Sequence, residues 1–178
     1  MMSKRIVLVF AFLLTVCMAA GFQAFAGQSG KKRALTYTET LLAELDPGIT
    51  TESNGNVHIR GARYLWYVQS SDSRLGGYFG SVYNANLDAT GTGHIWGTWF
   101  STDDNGDPVA DGWEGTWSGN GYDLFPDLYF NFIVKFEAHG IGDNEGLKLE
   151  STDAHDYPYS SVGLESGKGA GQIIDNGD

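Results

Sequence analysis

The sequence predicts an all-β protein, a single antiparallel β-barrel of about eight strands with little helix, and three observations carry that prediction. The densest is residues 91–119, GTGHIWGTWFSTDDNGDPVADGWEGTWSG, which holds four of the five tryptophans of the 178-residue chain. Ile95, Gly97 and Trp99 share one face there and Trp96, Thr98 and Phe100 the other; Trp113, Gly115 and Trp117 then oppose Glu114, Thr116 and Ser118. A period of two in aromatic and β-branched residues means extended chain, and the Asp-, Asn-, Gly- and Pro-rich run between the halves means a turn. The second observation is that such runs recur from residue 56 to 175, separated by short turns and interrupted by glycine. The third is that no segment has a convincing helical period. Sequential strands with in-strand glycines suit a closed barrel better than a sandwich, and closure removes edges that an aromatic-rich sheet would expose.

In chain order, residues 1–26 read as a signal peptide. Lys4 and Arg5 precede an apolar run over residues 6–20, and Ala24-Phe25-Ala26 supplies a small-residue cleavage site before Gly27. The run is short for a membrane span. Cys17, the single cysteine, leaves with this segment, so no disulfide is expected in the remainder. A lipid-attachment reading of Cys17 is disfavoured by the bulky Val16. Residues 27–55 read as an N-terminal tether and a possible first strand: Thr36, Thr38 and Thr40 favour extension, Leu41, Leu42 and Leu45 have helical spacing, and Asp46-Pro47-Gly48 ends the segment.

The barrel domain is placed at residues 56–175. Ser53-Asn54-Gly55-Asn56 is a turn, and Val57 to Val68 is a strand with neither face purely apolar, which implies a bulge near Gly61. Leu75 to Leu87 is a glycine-bearing strand that leads into the tryptophan hairpin. The cleanest alternation follows, with Leu128, Phe130, Phe132, Val134, Phe136 and Ala138 on one face as a named wall of the core. Leu147 and Leu149 mark a short strand, residues 151–168 read as a long polar loop, and Ala170 to Ile174 as a last strand.

Charge bounds the partners. The chain carries 11 basic and 22 acidic residues, and release after Ala26 leaves 9 against 22, a net of −13. Nucleic acid needs a basic face, so it is not expected as a partner, and anionic membrane surfaces are disfavoured too. The expected location is secreted or periplasmic, without membrane insertion after cleavage.

Several runs carry a resemblance: Asn56-Val57-His58-Ile59-Arg60-Gly61, Gly91-Thr92-Gly93-His94-Ile95-Trp96-Gly97-Thr98, Gly112-Trp113-Glu114-Gly115-Thr116-Trp117-Ser118-Gly119, Glu145-Gly146-Leu147-Lys148-Leu149 and Gly171-Gln172-Ile173-Ile174-Asp175. They resemble a family of small exported bacterial proteins without assigned activity. The resemblance implies an architecture similar to the eight-stranded, calycin-like barrel of allene oxide cyclases and dirigent proteins. No functional residue of that group is carried over, and fold alone licenses no activity.

No nucleophile elbow, phosphate loop, dinucleotide fingerprint or zincin helix is present. The leading expectation is a non-enzymatic barrel that binds a small apolar or amphipathic molecule. The alternatives are an allene oxide cyclase-like isomerase, or an envelope protein with a filled barrel. Candidate ligand-binding residues are Trp66, Trp96, Trp99, Trp113 and Trp117, whose rings offer flat apolar faces, together with Arg60 and Arg63. An inward-facing Arg60 or Arg63 would need a carboxylate such as Glu114 or Glu137. His58 and His94 lie on strands that could direct them inward. Asp153-Ala154-His155-Asp156 could be an acid–base pair or part of a metal site, and is read in preference as solvated loop. No cofactor is expected beyond calcium. Counting from Asp103, oxygen-bearing side chains fall at positions 1, 3, 5, 9 and 12 (Asp103, Asn105, Asp107, Asp111, Glu114), the spacing of a calcium loop with Pro108 where glycine would turn.

Overall fold

Extended chain dominates the computed structural model, which describes residues 31–122, 129–158 and 165–175. Among the described residues there are nine strands: β1 (Lys31–Asp46), β2 (Ile49–Ser53), β3 (Asn56–Ser70), β4 (Gly77–Leu87), β5 (Gly93–Thr102), β6 (Gly112–Gly121), β7 (Tyr129–Ile141), β8 (Leu147–Pro158) and β9 (Glu165–Asp175). A single 3-10 turn, Gly142–Asn144, links β7 to β8. Each strand from β3 to β9 pairs antiparallel with the next, and β1 pairs with both β9 and β3, which closes an eight-stranded barrel. β2 is the extra strand. It folds back on the start of β3 through Asn54 and Gly55, whose positive φ values of 52° and 77° suit a tight hairpin turn.

Alternation sorts the side chains. Leu35, Tyr37, Glu39 and Leu41 of β1 point inward, as do Ala62 and Val68 of β3, Phe79, Tyr83 and Ala85 of β4, and Ile95 and Trp99 of β5. Trp113 and Trp117 of β6, Phe132, Val134 and Ala138 of β7 and Leu149 of β8 complete that core. The mixed pattern of β3 has the anticipated cause. Its register against β4 slips between Ile59 and Ala62, and Gly61 sits there at φ 71°, so the bulge exchanges the faces of the strand.

Two segments differ from the sequence expectation. Residues 31–34, read as tether, are the first rungs of β1 and pair with β9, so the barrel begins at β1 and not at residue 56. Residues 151–158, read as polar loop, continue β8, and β9 starts at Glu165 instead of Ala170. Polar residues at the inward positions hid the alternation. The wall of the core expected on β7 is present: Phe132, Val134 and Ala138 are buried and Phe136 is partly so. The Leu128 and Phe130 side chains and the predicted signal peptide lie outside the described residues.

One end of the barrel is plugged by residues 71–76, which join β3 to β4. Ser71 N–H donates to the Thr36 carbonyl and Ser71 Oγ accepts from Thr36 N–H, which ties the plug to β1. The Trp113 indole N–H donates to the Arg74 carbonyl at 2.6 Å, which ties it to β6. Buried Asp72 accepts from the Arg74 guanidinium at 2.8 and 2.9 Å and pairs with Arg33 at 3.5 Å. Those bonds hold the Asp72 carboxyl down to about 2.

Candidate functional site

Two inner walls meet inside the barrel. The first is aromatic and built by the predicted hairpin. Across the β5–β6 register Trp117 faces Gly97 and Trp99 faces Gly115. A side chain at Gly97 would come within 2.8 Å of the Trp117 ring, so glycine there is the space the indole occupies. Phe79 lies 5.1 Å from Trp99, Tyr83 lies 5.7 Å from Trp117, and Phe136 stands edge-on to Trp99 at 5.6 Å. Such offset and edge-on contacts are the favoured aromatic geometries.

The second wall is polar and spans β1, β9 and β8. Its rungs read Leu35–Gly171–Ser151, Tyr37–Gly169–Asp153 and Glu39–Gly167–His155. At these three rungs the middle strand presents only glycine inward, so side chains two strand spacings apart, roughly 9–10 Å at the backbone, reach over it and meet. The Tyr37 hydroxyl hydrogen-bonds Ser151 Oγ at 2.6 Å and donates to Asp153 Oδ1. His155 Nε2 lies 3.2 Å from Glu39 Oε2 and 3.9 Å from Asp153 Oδ2. Added side chains would collide: one at Gly167 would stand 2.6 Å from the His155 ring, and one at Gly169 would overlap Tyr37 and Asp153. Phe132 stacks on the His155 ring at 4.3 Å, and Trp66 meets it edge-on at 5.6 Å.

Burial dominates the electrostatics. It raises the Glu39 carboxyl to about 7 and holds the His155 imidazole down to about 4. Burial also lifts Asp153 well above the usual carboxyl range, with the nearby Glu39 charge adding to it, and lifts the Tyr37 phenol. Desolvation disfavours every charged form, so in neutral solution the Tyr37 phenol and the His155 imidazole are held uncharged. Among the described residues, Asp153 Oδ2 accepts no hydrogen bond from a nitrogen or hydroxyl donor. A carboxyl proton shared with Glu39, or a cation, can satisfy it.

Between the walls lies a cavity of about 60 Å³, several times the ~10–15 Å³ that one water needs. Tyr37, Glu39 and His155 form its polar side; Trp66, Phe79, Trp99, Trp117 and Phe136 are among its apolar lining. The Trp99 indole N–H is buried at this wall with no acceptor among the described residues.

The residues singled out in the sequence divide accordingly. Trp66, Trp99 and Trp117 line the cavity, and Trp113 is buried against the plug. Trp96 is on the outer face, stacked on His94 at 5.1 Å with the Arg60 guanidinium 5.1 Å over its ring. Arg60 donates to the Ala85 carbonyl and to Asn86 Oδ1, and Arg63 is exposed, so neither arginine reaches the interior. His58 bonds Asn86, also outside. Of the five oxygen-bearing side chains on the β5–β6 loop, three turn to separate partners. Asp103 Oδ1 accepts the backbone N–H groups of Asn105 and Asp107, Asp111 accepts that of Asp143, and Glu114 pairs with His139 on the outer face. Among the described residues, the group of three acidic or histidine ligand atoms all within 4.8 Å of one another is Glu39, Asp153 and His155.

Glu39, Tyr37 and Ser151 were not singled out in the sequence. The signal was there in two parts: Ser151, Asp153 and His155 alternate, and so do Gly167, Gly169 and Gly171. Together they describe a strand of inward polar groups beside a strand with no inward side chains. Comparison of the chain with protein-family models, curated proteins and solved structures finds no match.

Proposed function

We propose that this protein is an exported barrel that binds one small, largely apolar or amphipathic molecule in its interior. The observation that carries the reading is a cavity walled by aromatic rings on one side and by a hydrogen-bonding cluster on the other. Concave, mostly apolar sites with a few convergent polar groups are the usual form of small-molecule pockets. An apolar body would lie against Trp66, Trp99 and Trp117, and a polar end would meet Glu39 and His155. An acceptor on the ligand would also satisfy the Trp99 indole N–H, which is buried with no acceptor among the described residues.

The test is native mass spectrometry of the protein purified from its own host, followed by titration with neutral apolar probes read by tryptophan fluorescence. The expected result is one small molecule per chain, and probe binding weakened roughly tenfold or more by Trp99→Phe or Trp117→Leu. A bound molecule returned chemically altered would move the protein to the isomerase class that resembles allene oxide cyclase. A barrel that carries nothing and takes up no probe would leave the structural role.

A further inference from the structure

We propose that Glu39, Asp153 and His155 form a site for one divalent transition-metal ion, of zinc-like preference, at the polar side of the cavity. The spacing of the donor atoms is the first argument. Around a tetrahedral ion with bonds of about 2.0–2.1 Å, donor atoms stand roughly 3.3 Å apart. Here His155 Nε2 is 3.2 Å from Glu39 Oε2 and 3.9 Å from Asp153 Oδ2, and all three donors lie within 4.8 Å of one another. Closing that triangle on an ion is a matter of side-chain adjustment, with no change of strand register.

The donor set selects the kind of ion. Calcium takes six or more oxygens and magnesium keeps an octahedral, water-rich shell, whereas one imidazole nitrogen with two carboxylates suits zinc and its first-row neighbours. The surroundings also help to orient the ligands. Tyr37 donates to Asp153 Oδ1, which leaves Oδ2 as the oxygen turned toward His155 without a nitrogen or hydroxyl donor. Ser151 fixes the Tyr37 hydroxyl in turn, and Phe132 and Trp66 hold the plane of the imidazole. Outer partners of this kind orient metal ligands and tune their affinity. Two carboxylates and a neutral imidazole also balance a doubly charged cation, and among the described residues no lysine or arginine lines the cavity to compete for them. Access runs past Glu39, whose side chain is 11% exposed against 2% for His155 and 0% for Asp153. Three protein donors leave a coordination position open to the cavity, where the polar end of a bound molecule could complete the shell.

The metal shares its cavity with the ligand proposed above, so the two are measured separately. Metal-free protein is titrated with cobalt(II) followed by visible absorption, and cobalt is then displaced by zinc. One equivalent should give the intense bands of four- or five-coordinate cobalt, with a rise in melting temperature on zinc addition. His155→Gln and Asp153→Asn should weaken binding at least ~100-fold, and Tyr37→Phe by roughly 10–100-fold. Where a variant does not fold by circular dichroism, X-ray absorption of the wild-type zinc form decides, and a single imidazole among oxygen donors is expected. Absence of the cobalt bands in wild type, bands retained in a folded His155→Gln, or a zinc shell with no imidazole each overturns the site. Nile red, a neutral apolar probe, is titrated in parallel. Metal lost with probe binding intact removes the metal site alone, and probe binding absent with metal retained removes the ligand reading alone.

Discussion

The two inner walls use one geometric device to opposite energetic ends. On the β5–β6 side, Gly97 and Gly115 stand opposite Trp117 and Trp99 and give each indole room to lie flat. On the β1–β9–β8 side, Gly167 and Gly169 stand between Glu39, Tyr37, Asp153 and His155 and let them touch. At the first wall the vacated volume is filled by apolar surface, which burial rewards by roughly 25 cal/mol per Å². At the second it is filled by ionisable groups, whose burial costs free energy unless each finds a partner. The aromatic wall therefore stabilises the barrel, and the polar wall is tolerated by it. Ionisable groups kept in a core at a cost to stability are a common mark of a working site.

That contrast can be broken by substitution. The largest effect is expected at the aromatic wall. Trp117→Ala removes a buried ring packed against Tyr83 and Phe136 and should cost about 3–5 kcal/mol by chemical denaturation. A loss below about 1 kcal/mol would mean that the wall does not carry the fold. Next comes Gly169→Ala, whose methyl group would overlap Tyr37 and Asp153. Crowding of this sort costs about 1–3 kcal/mol, and the Tyr37 hydroxyl should lose Asp153, seen as faster exchange of its proton by NMR. A neutral outcome would show that the polar side chains do not meet over β9.

A third prediction uses pH, outside both walls. Asp72 in the plug has a folded pKa near 2, below its ordinary value near 4, because Arg74 hydrogen-bonds its charged form. A depressed carboxyl stabilises the fold above the unfolded pKa, and that contribution is lost as pH falls from about 4 to 2. Asp72→Asn should cost about 1–2 kcal/mol at pH 7 and almost nothing at pH 2. An equal cost at both would assign the effect to packing. The smallest effect is expected from the half-exposed Glu114–His139 pair. Glu114→Gln should change stability by less than about 0.5 kcal/mol, and a larger loss would give the outer face of the hairpin a role that neither wall supplies.

The same contrast explains what could be read from the sequence. The aromatic wall was legible because Trp113 and Trp117 alternate with Glu114, Thr116 and Ser118 while Trp99 shares its face with Ile95 and Gly97, and the bulge at Gly61 was legible because neither face of its strand was apolar. β8 was not, since Ser151, Asp153 and His155 reverse the rule that inward means apolar, and the segment then reads as solvated loop. Glu39 was hidden for a different reason. It stands alone among threonines and leucines on β1, and its importance comes from His155, which only the closing strand pairs bring beside it. Arg60 and Trp96 looked like interior candidates by residue type, and alternation alone could not say which face was outside until the bulge was placed.

The strand that carries Glu39 has a further consequence, in time instead of space. β1 is the first strand of the barrel, and one of its two partners, β9, is the last, with Lys31 set beside Asp175. Until residues 165–175 are available, half of the β1 hydrogen bonds have nothing to pair with, and Tyr37 and Glu39 face no glycine lane. Contacts between the ends of a chain form late and slow the search for the native state. The two halves of the polar cluster come together only when β9 pairs with both β1 and β8, so the site reports on completion of the barrel. A chain truncated before β9 should keep the tryptophan hairpin and lose the cluster entirely.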